Sequence, residues 1–143
     1  MATSRAQVLE FIRSYSLGVQ ASVSPGRRPQ AAVVGFVVTD AFELFFDTTE
    51  STRKATNLRV NAHVAFTIGG VGDGERTVQY EGVADEPSGG ELARLQKLYF
   101  SSFPDGPQRL SWPGITYFRV RPTWLRFSDF AAMPPEIVEY SFE

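Results

Sequence analysis

Arg53 and Lys54 stand side by side, preceded within five residues by four hydroxyl side chains, Thr48, Thr49, Ser51 and Thr52. A guanidinium grips an oxyanion with two parallel hydrogen bonds, an ammonium adds a point charge, and hydroxyls add neutral donors, which together is the chemistry of phosphate recognition. The pattern after these residues predicts a short helix from about Ser51 to Val60, with both cations in its first turn. That end of a helix already presents unpaired N–H groups and a positive partial charge, so each added cation costs a few tenths of a kcal/mol unless an anion is present. The alternative is a solvated helix face on which Arg53 and Lys54 pair with Glu50, Glu43 or other acids.

Other chemistries lack the residues they need. The chain has no cysteine and one histidine, His63. Thiolate metal sites, cysteine nucleophiles, disulfides and histidine-rich zinc sites are therefore excluded by count. His63 opens a predicted strand with no evident acid–base partner nearby, and reads as a structural or solvent-facing residue. Asp85-Glu86 falls at a strand end and reads as a solvated turn. Gly69 to Gly74 is rich in glycine but lacks the lysine and the strand-to-helix setting of a phosphate loop, and reads as a hairpin connection.

The elements that must position the Arg-Lys pair follow from periodicity. Ser4 with Gln7 has capping-box spacing, and Val8, Phe11, Ile12 and Tyr15 recur at helical intervals, predicting a first helix of about three turns. Three strands are expected at Val19 to Val23, Ala31 to Val38 and Phe42 to Phe46, then the short helix, then strands at His63 to Ile68 and Thr77 to Ala84. Ser88 with Glu91 predicts a capped third helix through Leu92, Leu95 and Leu98. The proline- and glycine-bearing stretch Phe103 to Gly114 reads as an irregular loop. Strands are expected at Ile115 to Val120 and Thr123 to Ser128, separated by Arg121-Pro122, with a short strand possible in the tail after Pro134-Pro135. About seven strands with three helices between them predict a mainly β fold, an antiparallel sheet curling toward a barrel.

Length and composition agree with one domain over residues 1–143: 43% of the chain is hydrophobic and 13% aromatic. A formal net charge of −2 provides no broad positive field for a nucleic acid. No signal peptide or membrane span is visible, and the absence of cysteine makes the cytoplasm the expected compartment.

The segment "ELFFDTTESTRKATNLRVNAHVAF" resembles the signature of the pyridoxamine 5'-phosphate oxidase-like FMN-binding split barrels: an aromatic strand, a threonine, a short hydroxyl loop, a basic Arg-Lys pair, then a helix ending in Asn-x-x-Val. "RRPQAAVVGFVV", "RTVQYEGVAD" and "YFRVRPTWLRF" resemble further family segments in family order, so the likeness runs from about residue 7 to 130. The resemblance implies an antiparallel split β-barrel with inserted helices and FMN as cofactor. By position, Arg53 and Lys54 would hold the FMN phosphate with Thr52 or Ser51 assisting. Thr48 and Asp47 would stand near the ribityl chain and ring, and the backbone of Ala32, Val33 and Val34 would face the isoalloxazine edge. Thr77, or Gln79 on the same face, would take the place of the glutamine that oxidases of the family direct toward the flavin. The family's cofactor lies between two subunits, which implies a homodimer whose partner chain could supply an aromatic such as Trp112 or Trp124.

Two departures shape the expected function. The oxidases proper carry an arginine at the start of the flavin-side strand, where Ala32 stands here, with Arg27 and Arg28 several residues earlier. Their arginine-rich C-terminal substrate segment has no counterpart in these 143 residues. The expectation is thus a flavin-dependent oxidoreductase of unidentified substrate and unidentified catalytic residues, and not a vitamin B6 oxidase. The alternatives are a deazaflavin-dependent reductase of the same superfamily or a non-catalytic flavin- or haem-binding stress-response protein.

Overall fold

The computed structural model describes residues 2–70 and 74–143. The predicted glycine-rich connection from Gly69 to Gly74 therefore lies partly outside the described residues. The first helix, α1 (Arg5–Arg13), starts as its sequence predicts: Ser4 Oγ accepts from the Gln7 N–H, and Gln7 Oε1 accepts from the Ser4 N–H. Its apolar stripe buries Val8, Phe11 and Ile12.

Two strands follow as an antiparallel hairpin, β1 (Leu17–Val23) and β2 (Pro29–Gly35). The apolar run expected as a single strand to Val38 breaks at Phe36, and the chain resumes as β3 (Val37–Val38), paired to β4 (Leu44–Thr49). The reason is topological. β2 and β3 are the two ends of the main path of hydrogen-bonded strands, so a chain running directly from one to the other brings those ends together. The sheet is thereby curled into a split barrel. The expected start of β4 at Phe42 also moves: Phe42 sits at φ 62° in a turn closed by Thr39 and Glu43, and the strand runs on to Thr49.

After α2 (Arg53–Val60) come β5 (His63–Gly69), β6 (Arg76–Asp85), α3 (Gly89–Ser102), a 3₁₀ turn at Gly106–Ser111 where an irregular loop was expected, β7 (Ile115–Asp129) and β8 (Glu136–Ser141). Every strand pairing among the described residues is antiparallel. Alternation along β4 separates two apolar clusters. Leu44 and Phe46 face the barrel interior with Phe66, Tyr80 and Phe118, while Phe45 faces outward to Tyr99 and Leu95 of α3 and to Tyr117. The Ser88–Glu91 capping box does not form. Ser88 makes no side-chain cap, and the Glu91 carboxylate is held instead by Arg94 at 2.6 Å and Arg119 at 3.1 Å.

The two strands expected on either side of Arg121-Pro122 are one 15-residue strand. Pro122 is accommodated by a register shift, in which Glu81 pairs with Trp124 and Gly82 with Pro122. Thr123 Oγ1 donates to the Glu81 carbonyl across the irregularity. A Cβ at Gly82 would lie 2.5 Å from the Arg121 carbonyl oxygen and 2.6 Å from Val120 Cγ1, which is the physical reason for glycine in the Glu-Gly-Val-Ala segment. Gly82→Ala is expected to cost at least about 2 kcal/mol, since backbone on the opposing strand has to move. Urea unfolding checks this, and an unchanged midpoint would contradict it.

Candidate functional site

The stretch from Thr48 to Asn57 is built by local hydrogen bonds. Thr52 is the N-cap of α2: its Oγ1 accepts from the Ala55 N–H at 3.3 Å and donates to the Thr49 carbonyl at 2.9 Å. With that hydrogen committed, the Thr48 hydroxyl is the donor in its 2.9 Å bond to Thr52. Ser51 and Thr49 share a hydroxyl contact at 3.1 Å. The hydroxyl run thus shapes the turn that aims the first turn of α2.

Asn57, 2% exposed on the inner face of α2, fastens the helix to the hairpin below. Its Nδ2 donates to Ser22 Oγ of β1 at 3.0 Å and to Gln30 Oε1 of β2 at 2.8 Å. Asn57→Ala would leave the buried Ser22 hydroxyl and the half-buried Gln30 amide oxygen without their donor and is expected to cost about 1–3 kcal/mol, measurable as a lowered thermal midpoint. Between α2, β1 and β2 lies a cavity of about 440 Å³ lined by Ser51, Thr52, Arg53, Lys54 and Asn57 on one side and Gln20, Ser22, Gln30, Ala31 and Ala32 on the other.

The acids that could have neutralised the two cations are engaged elsewhere. Glu50 is 3.8 Å from Arg59, and Glu43 lies 3.8 Å from Arg94 and 3.9 Å from Arg119. Among the described residues, no ion pair joins Arg53 or Lys54 to an acid. No acidic residue occupies the first turn of α2. Two cations, the free N–H groups of a helix N-terminus and a cavity beside them supply the donors that an anion would need. The donor set fits the phosphate of a flavin mononucleotide.

Of the residues singled out in the sequence, Arg53, Lys54, Thr52, Ser51 and Ala32 line this cavity, and Thr48 supports it through Thr52. Asp47 shares the Phe45 face of β4, and its carboxylate takes hydrogen bonds from Arg109 Nε at 2.7 Å and the Tyr99 hydroxyl at 3.1 Å. Burial works against the Arg109 charge, but the hydrogen bond and charge of Asp47 outweigh it and raise its pKa. Val33 is exposed opposite Val19, while Val34 is buried in the barrel core. Thr77 lies between Gly69 and Ser128, and Gln79 is exposed between Thr67 and Arg126. Trp112 is half-exposed after the 3₁₀ turn, and Trp124 is half-buried on β7 beneath the Arg126 guanidinium. None of these lines the cavity within one chain. His63 is exposed at the start of β5.

The sequence reading missed Gln20, Ser22 and Gln30. Gln20 and Ser22 alternate with Val19, Ala21 and Val23, placing two polar groups on the inward face of a strand, a signal that a polar element must cover them.

A profile of the family described as pyridoxamine 5'-phosphate oxidase matches residues 4–129. No curated protein matches the chain. Among solved structures, a heme binding protein from Mycobacterium smegmatis superposes with a TM-score of 0.83 at 16% identity, covering 99% of this chain, which spans 59% of that protein's length. The heme storage protein HutZ from Vibrio cholerae gives 0.75 at 18% identity, with 85% of this chain and 91% of that one covered. General Stress Protein 26 from Bacillus anthracis gives 0.68 at 22% identity, covering 92% and 94%. At these identities the likeness is one of fold.

Proposed function

The chain belongs to the pyridoxamine 5'-phosphate oxidase family, and from that premise we propose that it binds FMN, with the phosphate on Arg53 and Lys54, and acts as a flavin-dependent oxidoreductase. The observation that carries this reading is the pair of cations, without acidic partners among the described residues, at the head of α2 and lining a cavity walled largely by polar side chains. Bound FMN would supply electron or hydride transfer through its ring. The chain's own part is to hold the phosphate with Arg53 and Lys54, to keep the α2 turn in place through Thr48 and Thr52, and to hold α2 against the hairpin through Asn57. A homodimer belongs to this proposal. It is supported by Leu17, Val19 and Val33, three large apolar side chains left exposed on β1 and β2, next to the cavity wall.

A second reading is haem binding. It is supported by the heme-binding names of two structural relatives and by His63, which lines a separate groove of about 290 Å³ with Val23, Pro29, Val64 and Ala65. Titrating the purified chain with FMN, a deazaflavin cofactor and haemin, followed by flavin fluorescence and the haem Soret band, separates the possibilities. The expected result is saturable FMN binding that haemin does not displace. Haemin binding lost in His63→Ala, with no FMN binding, would replace the flavin reading with the haem one. Preference for the deazaflavin would replace FMN alone.

A further inference from the structure

Gln20 is 1% exposed, yet its Nε2 has no hydrogen-bond partner among the described residues. Buried donors are almost always satisfied, because leaving one unpaired costs stability, so this exception calls for an acceptor. The sheet provides none beside it: across β1 the residues level with Gln20 are Ala32 on β2 and Phe66 on β5. The nearby oxygens of Ser22 and Gln30 already accept from Asn57 Nδ2. Gln20 does line one cavity, and it is the cavity of Arg53 and Lys54. Three groups on this cavity wall, two cations and an amide, are therefore donors without acceptors among the described residues.

We propose that Gln20 is a ligand-binding residue whose Nε2 donates to an oxygen of the bound phosphate, from the sheet side opposite Arg53 and Lys54. The flavin part of this inference rests on the function proposed above, while the oxyanion part stands on the donor set itself. Ala32, level with Gln20 on β2, lines the same cavity with only a methyl side chain, and a small turn of the Gln20 side chain would bring its amide to a ligand oxygen there.

The test compares wild type, Gln20→Met and Gln20→Glu in three measurements: affinity for FMN, affinity for riboflavin, and the thermal midpoint with and without inorganic phosphate. Gln20→Met removes the donor at similar size. It is expected to lower FMN affinity about 10-fold or more, leave riboflavin within about threefold, and raise the ligand-free midpoint because an unpaired polar group is gone. Gln20→Glu puts a negative charge behind the anion and is expected to lower FMN affinity about 100-fold, and it serves as the second variant if Gln20→Met does not fold. Phosphate is expected to raise the wild-type midpoint and to have less effect on both variants. FMN affinity held within about twofold in both variants, or equal phosphate protection in all three proteins, would overturn the role of Gln20. A wild type that binds no FMN but is protected by phosphate in a Gln20-dependent way would overturn the flavin reading and leave the oxyanion role of Gln20 in place.

Discussion

Replacing Arg53 and Lys54 together by alanine is expected to weaken FMN binding by about 10²- to 10⁴-fold and to leave riboflavin binding within about threefold. The magnitude follows from two hydrogen bonds to a charged group, each contributing about 1.5–3 kcal/mol. The specificity follows from location. Both cations sit at the head of α2, and the only difference between the two ligands is the phosphate. Neither cation has an acidic partner among the described residues, so their removal strands no buried charge. Relieving cation–dipole repulsion in the first turn should even stabilise the free protein slightly, by a few tenths of a kcal/mol per residue. Lost binding with an unchanged or raised thermal midpoint is therefore the expected pattern. Equal losses for FMN and riboflavin would remove the phosphate from the account.

The second large effect concerns folding. Arg109 and Asp47 are 15% and 11% exposed, and their 2.7 Å contact ties the 3₁₀ turn to β4. Tyr99 of α3 completes the cluster, its hydroxyl pKa raised first by burial and then by the charge of Asp47. Arg109→Met would leave the Asp47 carboxylate largely buried with only the tyrosine hydroxyl, and is expected to cost about 3 kcal/mol, or about 6–12 °C in midpoint. Adding Asp47→Leu should recover most of that loss, since a buried pair replaced by apolar groups is close to neutral whereas a broken pair is not. A double variant as unstable as the single one would contradict this description of the cluster.

The difference between the two clusters explains what the sequence could convey. Arg53, Lys54 and their hydroxyl neighbours are contiguous, and a helix start is a local event, so their joint chemistry was visible without a fold. The alternative, pairing with Glu50 or Glu43, could not be decided there, because Arg59, Arg94 and Arg119 compete for those acids only once α2, α3 and β7 are in place. The far wall of the cavity was hidden for the same reason: Gln20, Gln30 and Asn57 come from three elements and meet only in the curled sheet. Asp47 was more accessible to reasoning, since strand alternation from the buried Phe45 already puts it on the face away from Thr48. Phe36 broke an apolar run that local propensity favoured as one strand, because the two ends of the sheet had to be joined there. Ser88 kept its place before α3 without capping it, and Glu91 pairs instead with Arg94 and with the long-range Arg119. In the barrel, long-range partners decided strand breaks, salt bridges and the far wall of the cavity, while the caps of α1 and α2 and the place of Arg53 and Lys54 at a helix start were set locally.

The central claim, that the head of α2 holds a flavin phosphate, is tested most directly by a crystal structure of the chain grown with FMN. The account predicts the phosphate within hydrogen-bonding distance of Arg53, Lys54 and the Gln20 amide, in the cavity between α2 and the β1–β2 hairpin. A flavin bound elsewhere, or one whose phosphate points to solvent while Arg53 and Lys54 make no contact with it, would contradict the claim.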